Sequence, residues 1–266
     1  MSTEAWNLAH AAAAEAGVTL RPLDRLEDTE AINHVIVQTW GDQDIDREVV
    51  VALVTSGNVP WGACAGDEIV GFVLGWAGID PEDGLHAHSH MLATVPGRRH
   101  KGIGYALKLA QRAQALDQGI RLVRWTFDPL VARNAWFNLV KLGATADRFH
   151  ERFYGDMSDA INVGDRTDRL VIRWDLETMT PGVRPADGFE VLGREGDPER
   201  CEPTAVRDPV GAPALIRLPR EYHDLRQADP ALGRAWRDAV SQAIRACFQA
   251  GMRVSGFTAD ASYVLS

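Results

Sequence analysis

Apolar and polar residues alternate over Val18 to Leu23 (VTLRPL), the two-residue period of a strand with one covered face. The following LEDTEAINHVIVQTW repeats its apolar positions at helical spacing. Its first turn carries Asp28 and Glu30, where the helix dipole favours acids. WGDQDIDREVV, acidic and polar, predicts a loop leading into a short second helix. Two apolar runs, VPWGACAG and EIVGFVLGWAGI, flank Gly66-Asp67 and predict a hairpin. The polar connection DPEDGLHA then leads to HSHMLATV, a third strand of a meander. After a glycine-bearing turn, Ile103, Leu107, Ala110 and Ala113 recur at helical spacing as far as Gly119, a helix stop. RLVRWTFDP predicts a strand closed by Pro129, LVARNAWFNLVKLG a helix ending at Gly143, and DRLVIRWDL (Asp168 to Leu176) a late strand.

Outside this run, MSTEAWNLAHAAAAEAG lacks the basic start of a signal peptide and carries Glu4, Asn7, His10 and Glu15, which fits a short surface helix. The breaker-rich ETMTPGVRPADG predicts a linker. Beyond it, DPALGRAWRDAVSQAIRACFQAG has Asp229 for an N-cap, Pro230 for the first helical position and Gly251 for the stop. Leu232, Trp236, Val240, Ile244 and Phe248 form its apolar stripe, and a strand-like MRVSGFTA comes next. DQGIRLVRWTF and QAGMRVSGFTA echo one another. Coincidence at two helix–Gly–strand junctions and a degenerate half-repeat are both open readings. The expected organisation is a helix over 1–17, a main domain over 18–178 and a smaller α/β subdomain over 186–266.

Composition narrows the function classes. The chain has 266 residues, 45% hydrophobic and 24% charged, with a formal net charge of −9. That is the balance of a globular protein and argues against a non-specific grip on nucleic acid. Cys64, Cys201 and Cys247 are odd in number and have no metal-like spacing, which suits a reducing compartment. No apolar run is long enough to span a bilayer. The expectation is a cytoplasmic protein with no membrane or nucleic-acid partner and no metal.

Candidate chemistry concentrates in HSHMLATVPGRRHKGIGYALKL. A strand that feeds a helix through a glycine turn aims several unpartnered backbone N–H groups, and the positive end of the helix dipole, into one concavity. Gly102 and Gly104 keep side chains out of it, and Arg98, Arg99 and Lys101 ring it with positive charge. The spacing is neither a P-loop nor G-x-G-x-x-G. Arg99-x-x-Gly102-x-Gly104, preceded by Pro96 and an apolar strand, resembles the acyl-CoA pyrophosphate signature of the GNAT superfamily of N-acyltransferases. The order strand, helix, three-strand meander, turn, helix, strand, helix, strand resembles that family's order over Val18 to Leu176. HSHMLATV, WTFDPL, NAWFNLVKLGA, FYGDM, GDRTDRLVIRW and DPALGRAWR are similar to a bacterial subgroup of predicted acetyltransferases with an added C-terminal region.

The resemblance implies an α/β (α+β) GNAT fold whose mostly antiparallel sheet splays at the acyl-CoA site, flanked by helices, with the C-terminal α/β region added. It implies acetyl-CoA or another acyl-CoA as co-substrate and a small amine as acceptor. Direct transfer of an acetyl or succinyl group to a metabolite such as an amino acid is the reaction it implies. It places Leu92, Ala93, Thr94 and Val95 along the thioester and pantetheine. Arg98, Arg99, His100, Lys101, Gly102, Ile103 and Gly104 fall around the pyrophosphate, and Asn134 and Phe137 beside the CoA arm. His86, His88 and His90 alternate along one strand face. They are either satisfied structural histidines or, for His88 and His90, a base that takes the acceptor's proton. The tyrosine many such enzymes carry in Y-x-x-x-G is Leu139 here. Tyr154, Asn138 or water is then left to protonate the thiolate, and Tyr154 is equally read as a packed strand residue. Arg169 and Arg173 are read as paired with Asp165 or Asp168, or as binding a substrate carboxylate. Trp125 is core or substrate wall, and Asp42, Asp44 and Asp46 are a solvated loop or an attraction for a cationic amine. The alternative function is a GNAT-fold acyl-CoA-binding sensor or partner module with little turnover. The C-terminal region is open to capping the acceptor, bracing the sheet or forming a homodimer.

Overall fold

The structure is a computed structural model, and it describes residues 2–41, 44–98, 101–157, 163–178, 187–197 and 200–266. Two compact units make up the chain, the first running to Trp125 and the second comprising most of the remaining residues.

The first unit holds strands β1 (Thr19–Pro22), β2 (Trp61–Ala65), β3 (Glu68–Asp80), β4 (Gly84–Thr94) and the start of β5 (Leu122–Phe127), whose last two residues fall in the second unit; the five are adjacent in that order. Neighbours are antiparallel up to β4, and β5 is parallel to β4. The Gly66-Asp67 hairpin forms as the sequence predicts, with Gly66 at φ 63°. The helices are α1 (Ser2–Glu15), α2 (Asp28–Trp40), α3 (Arg47–Thr55) and α4 (Ile103–Asp117). Both α2 and α4 pack against β3. Cover on both faces explains why the first half of β3 reads as a continuous apolar run, with the successive residues Phe72, Val73 and Leu74 all buried. Ala5, Ala9 and Ala13 give α1 a small-residue stripe, buried along α4. The Trp6 indole donates to Asp117 at 2.7 Å. DPEDGLHA, expected as a polar connection, is mostly strand. Asp80 accepts from the amides of Glu82 and Asp83, and Gly84 at φ 66° starts β4.

The second unit contains α5 (Ala132–Ala135), continued by a π-helical segment over Trp136–Lys141. Its strands are β6 (Thr145–His150), β7 (Arg169–Asp175), β8 (Phe189–Leu192), β9 (Arg194–Glu195), β10 (Glu202–Pro203), β11 (Ala214–Arg217), β12 (Val254–Phe257) and β13 (Ser262–Leu265). Its remaining helices are α6 (Tyr222–Ala228) and α7 (Pro230–Gln249). The main sheet here has the order β7-β6-β12-β13-β11-β8, and β9 pairs with β10. Because β6 pairs with β7 on one side and β12 on the other, the C-terminal strands continue the sheet of residues 145–175. Compactness therefore divides the chain well before the breaker-rich 177–188, of which 179–186 lie outside the described residues. Asp229 caps α7 as its position predicts, accepting from Ala231 and Leu232 at 3.0 Å. Trp236, Val240 and Ile244 are buried beneath it.

The echoing segments share one physical device. After α4, Gly119 donates to Leu116 and Ile120 to Ala115. After α7, Gly251 donates to Phe248 and Met252 to Cys247. These are the paired bonds of a Schellman stop, with glycine at positive φ in each.

Candidate active site

The glycine turn has the conformation its composition requires. Gly102 caps α4 at φ 85°, ψ −8°, the left-handed region that side chains disfavour. Tyr105 and Ala106 both donate to the Gly102 carbonyl. The amides of Ile103 and Gly104 are left with no backbone partner among the described residues. A Cβ at Gly97 would meet nothing within 4 Å, and at Gly104 only Leu92 Cδ2, 3.8 Å away. Among the described residues the space beside Gly97 and Gly104 is thus open, as an anion cradle demands. Lys101 is exposed and Arg98 half-buried, while Arg99 and His100 lie outside the described residues.

Strands β4 and β5 are joined at Ala87–Val123 and His88–Arg124, after which β4 runs on to Thr94 without a further pairing to β5. This is the splay. On its other edge the Val95 amide donates to Val70 at 3.0 Å, and the Val95 carbonyl accepts from Arg98. Val95, expected along the pantetheine, has both main-chain groups committed. Alternation along an antiparallel strand then turns the groups of Ala93 toward β3 and those of Leu92 and Thr94 toward the opened side. Ala93 is buried, and Leu92 and Thr94 are half-buried.

At the point of divergence sits a group that sequence reading did not single out. Ser89 and Trp125 are the first residues past the last pair on each strand, and Lys108 of α4 bridges them. Its ammonium nitrogen is 2.8 Å from Ser89 Oγ, 3.0 Å from Gln111 Oε1 and 3.6 Å from the Trp125 ring centre. Lys108 is 2% exposed, and burial holds its pKa well below the ordinary lysine value. Trp125, at 7% exposure, is a core contact of this amine, not an open substrate wall. Arg124, also buried, is anchored by Asp83 at 2.6 Å.

His88 and His90 lie on one face with Trp76 of β3. The Trp76 ring is 5.0 Å from His88 and 4.9 Å from His90, and the two imidazoles are 6.0 Å apart. Leu74 faces Met91 and Gly75 faces Ser89, so His90 is the extra residue of a β-bulge. Burial, aided by neighbouring His90, His86 and Lys108, lowers the His88 pKa to about 4. Partial burial also lowers that of His90, whose side chain remains open to solvent. Both rings are neutral at pH 7 and can accept a proton. His86 is buried, 3.1 Å from the Gly84 carbonyl, and its ring packs against Gly78.

In the second unit the Tyr154 hydroxyl is 3.1 Å from Thr126 Oγ1, and Tyr154 itself is exposed, not packed as a strand residue. The Arg169 guanidinium stands 5.4 Å from the Tyr154 ring centre and donates to the Asp168 carbonyl. Arg173 shares that face of β7 and is exposed. Asn134 is exposed on α5, Phe137 half-buried, and Leu139 buried with Asn138 in the π-helical turn. The two aspartates have other partners than expected. Asp168 binds Arg166 at 2.8 Å, and Asp165 binds Arg237 at 2.6 Å and Arg226 at 3.1 Å. Arg237 also grips Asp128 with both arms at 2.7 Å. Asp44 and Asp46 lie in a loop ahead of α3, and Asp42 is outside the described residues. Among the described residues no three His, Cys, Asp or Glu are grouped to hold a metal, and no helix is long and apolar enough to cross a membrane.

Comparison with known proteins agrees with this geometry. Residues 24–138 match the model of the Acetyltransferase (GNAT) family. Chaetomium thermophilum Naa20, solved with a bisubstrate analogue, is 20% identical with a TM-score of 0.50, over 60% of this chain and 87% of its own. The ribosomal-protein-S18-alanine N-acetyltransferase of Escherichia coli is 13% identical with a TM-score of 0.48, over 63% and 99%. A GNAT family acetyltransferase of Elizabethkingia anophelis with acetyl-CoA bound is 14% identical with a TM-score of 0.43, over 60% and 98%. Curated proteins give no match. The chain has the GNAT fold, and its residues 24–138 are similar to the Acetyltransferase (GNAT) family model.

Proposed function

We infer that the protein is an N-acyltransferase that moves an acetyl or succinyl group from acyl-CoA to the amine of a small metabolite such as an amino acid. The observation that carries the reading is the left-handed glycine turn at Gly102, where the amides of Ile103 and Gly104 have no backbone partner among the described residues and would serve a diphosphate. The splay beyond His88 and Arg124 supports it by leaving the Leu92 and Thr94 main chain for the pantetheine and the thioester carbonyl.

In the reaction a neutral amine attacks the thioester carbon. The C–N bond forms, the C–S bond breaks, and the electron pair leaves on the CoA sulfur. His90, neutral at pH 7 and open to solvent, takes the proton lost by the amine. His88, at a pKa of about 4, is the weaker base and orients its neighbour through the Trp76 cluster. The thiolate collects a proton from the Tyr154 hydroxyl or from water, since Leu139 has none to give. Arg169 and Arg173 are the candidates for an acceptor or succinyl carboxylate, and Asn134 and Phe137 for the CoA arm.

The buried Leu139 also favours a second reading, an acyl-CoA-binding sensor without turnover. A thiol-release assay with acetyl-CoA and succinyl-CoA over a panel of amines separates the two. Release that depends on an amine supports the enzyme; CoA binding with no release on any acceptor supports the sensor.

A further inference from the structure

The second unit carries a half-open cavity of about 450 Å³ between the start of α5, the start of α6 and the β12–β13 turn. Its volume lies within the usual range for small-molecule sites. Leu130, Trp136 and Phe257 form apolar wall, and Leu130 and Phe257 are themselves buried. Two cations, Arg133 and Arg220, and two carboxylates, Glu221 and Asp224, line the same space. None of the four makes a salt bridge within 4.0 Å to any described residue, in a unit where Arg166, Arg226 and Arg237 are all paired. His223 lines the same space and is half-buried.

We propose that this cavity binds a small zwitterion, a molecule with a carboxylate and an ammonium group on an apolar or aromatic body. A lone anion there meets Glu221 and Asp224, and a lone cation meets Arg133 and Arg220. A ligand with both charges is matched on both sides, while its apolar body covers Trp136 and Phe257. The half-buried His223 ring lies in the same wall. Burial, with Arg226 and Arg133 nearby, lowers its pKa against the opposite pull of Asp128 and Asp224. The ring is therefore neutral at pH 7. The α-amino acids are the simplest members of this class. Binding here deepens the acyl-acceptor reading by giving an amino acid a place in the chain, but its evidence is independent of the donor turn.

The test is calorimetry on the intact protein without acyl-CoA, using tryptophan, phenylalanine and leucine. Two single-charge analogues accompany them, 3-phenylpropionate without the ammonium and phenethylamine without the carboxylate. At least one amino acid is expected to bind at millimolar concentration or below, with the matching single-charge analogue weaker by about tenfold or more. Arg220→Ala and Asp224→Asn alter exposed side chains and are each expected to weaken the amino acid by about tenfold at unchanged Tm. The His223 ring ¹⁵N signals of the wild-type protein should move on titration, a readout that needs no variant. The proposal is overturned if no amino acid binds, if a single-charge analogue binds as well, or if the His223 signals stay fixed while an amino acid binds. Retained CoA affinity alongside such a failure would leave the donor site intact, so the two readings fail separately.

Discussion

Gly102→Glu tests the donor cradle at the position where structure and chemistry can be separated. Gly102 sits at φ 85°, and a Cβ there would meet only the Ala16 methyl at 3.6 Å, an ordinary contact. The folding cost is then the left-handed backbone alone, about 1–2 kcal/mol. The cost to the donor is larger. A carboxylate about 4 Å from a diphosphate charge repels it by about 4 kcal/mol at an effective dielectric of about 20. Solvent screening at this exposed residue trims that figure, so donor affinity should fall by at least about thirtyfold, and less at high salt. Gly102→Ala adds the Cβ without the charge and should fall between. The measurements are CoA calorimetry at two ionic strengths, with Tm to verify folding. A folded Gly102→Glu protein that binds CoA like the wild type would refute the cradle.

Three further outcomes are expected. His90→Ala should lower kcat by about 10²-fold while CoA affinity holds, and equal turnover across pH would remove His90 from the mechanism. His88 has a folded pKa of about 4 against an ordinary 6.5, so the unfolded chain takes up a proton in that interval that the folded chain refuses. Its contribution to stability is therefore full above about pH 6.5 and is lost as pH falls toward 4. Urea midpoints of wild type and His88→Gln should diverge across this window, and parallel curves would contradict the assigned burial. Arg237→Met leaves Asp128 and Asp165 without their main partner, with Arg237 itself 2% exposed. It should cost about 3–5 kcal/mol, read as a Tm loss on the order of 10 °C, and a loss of under about 1 kcal/mol would show the network to be dispensable.

Sequence patterns revealed elements where one local rule acts alone. Alternation or apolar runs marked β1, β2 and β3, and the Asp229-Pro230 start and Gly251 stop framed α7. The glycine turn was legible because φ 85° at Gly102 is a demand only glycine meets cheaply. What escaped depends on partners distant in sequence. β6, read from TADRFH, has no apolar run, and pairing with β7 and β12 is what makes it a strand. Arg169 and Arg173 looked like the partners of Asp165 and Asp168. Arg237, 72 residues along the chain from Asp165, takes that place because α7 packs across the loop. Lys108 occupies a polar-looking position of an amphipathic helix, and only the fold reveals that it faces inward. Trp76 entered the histidine cluster through cross-strand register with His88, which no spacing within β4 could announce.

The residues that hold the second unit together also decide what its C-terminal elements do. Asp128 comes directly after β5, and its carboxylate caps the turn into α5 by accepting from the Leu130 amide at 2.9 Å. The same carboxylate is gripped by Arg237 of α7, while the Tyr263 hydroxyl of β13 donates to the adjoining Pro129 carbonyl at 2.7 Å. Both contacts are buried on the C-terminal side, where Arg237 and Tyr263 expose almost nothing. The segment that presents Arg133, Asn134 and Trp136 is thus positioned by residues more than a hundred places later in the chain. A helix as short as α5 has little stability of its own. Its orientation comes from these clamps, so the C-terminal region acts as the brace of the α5 turn and as one wall of the charge-lined cavity beside it.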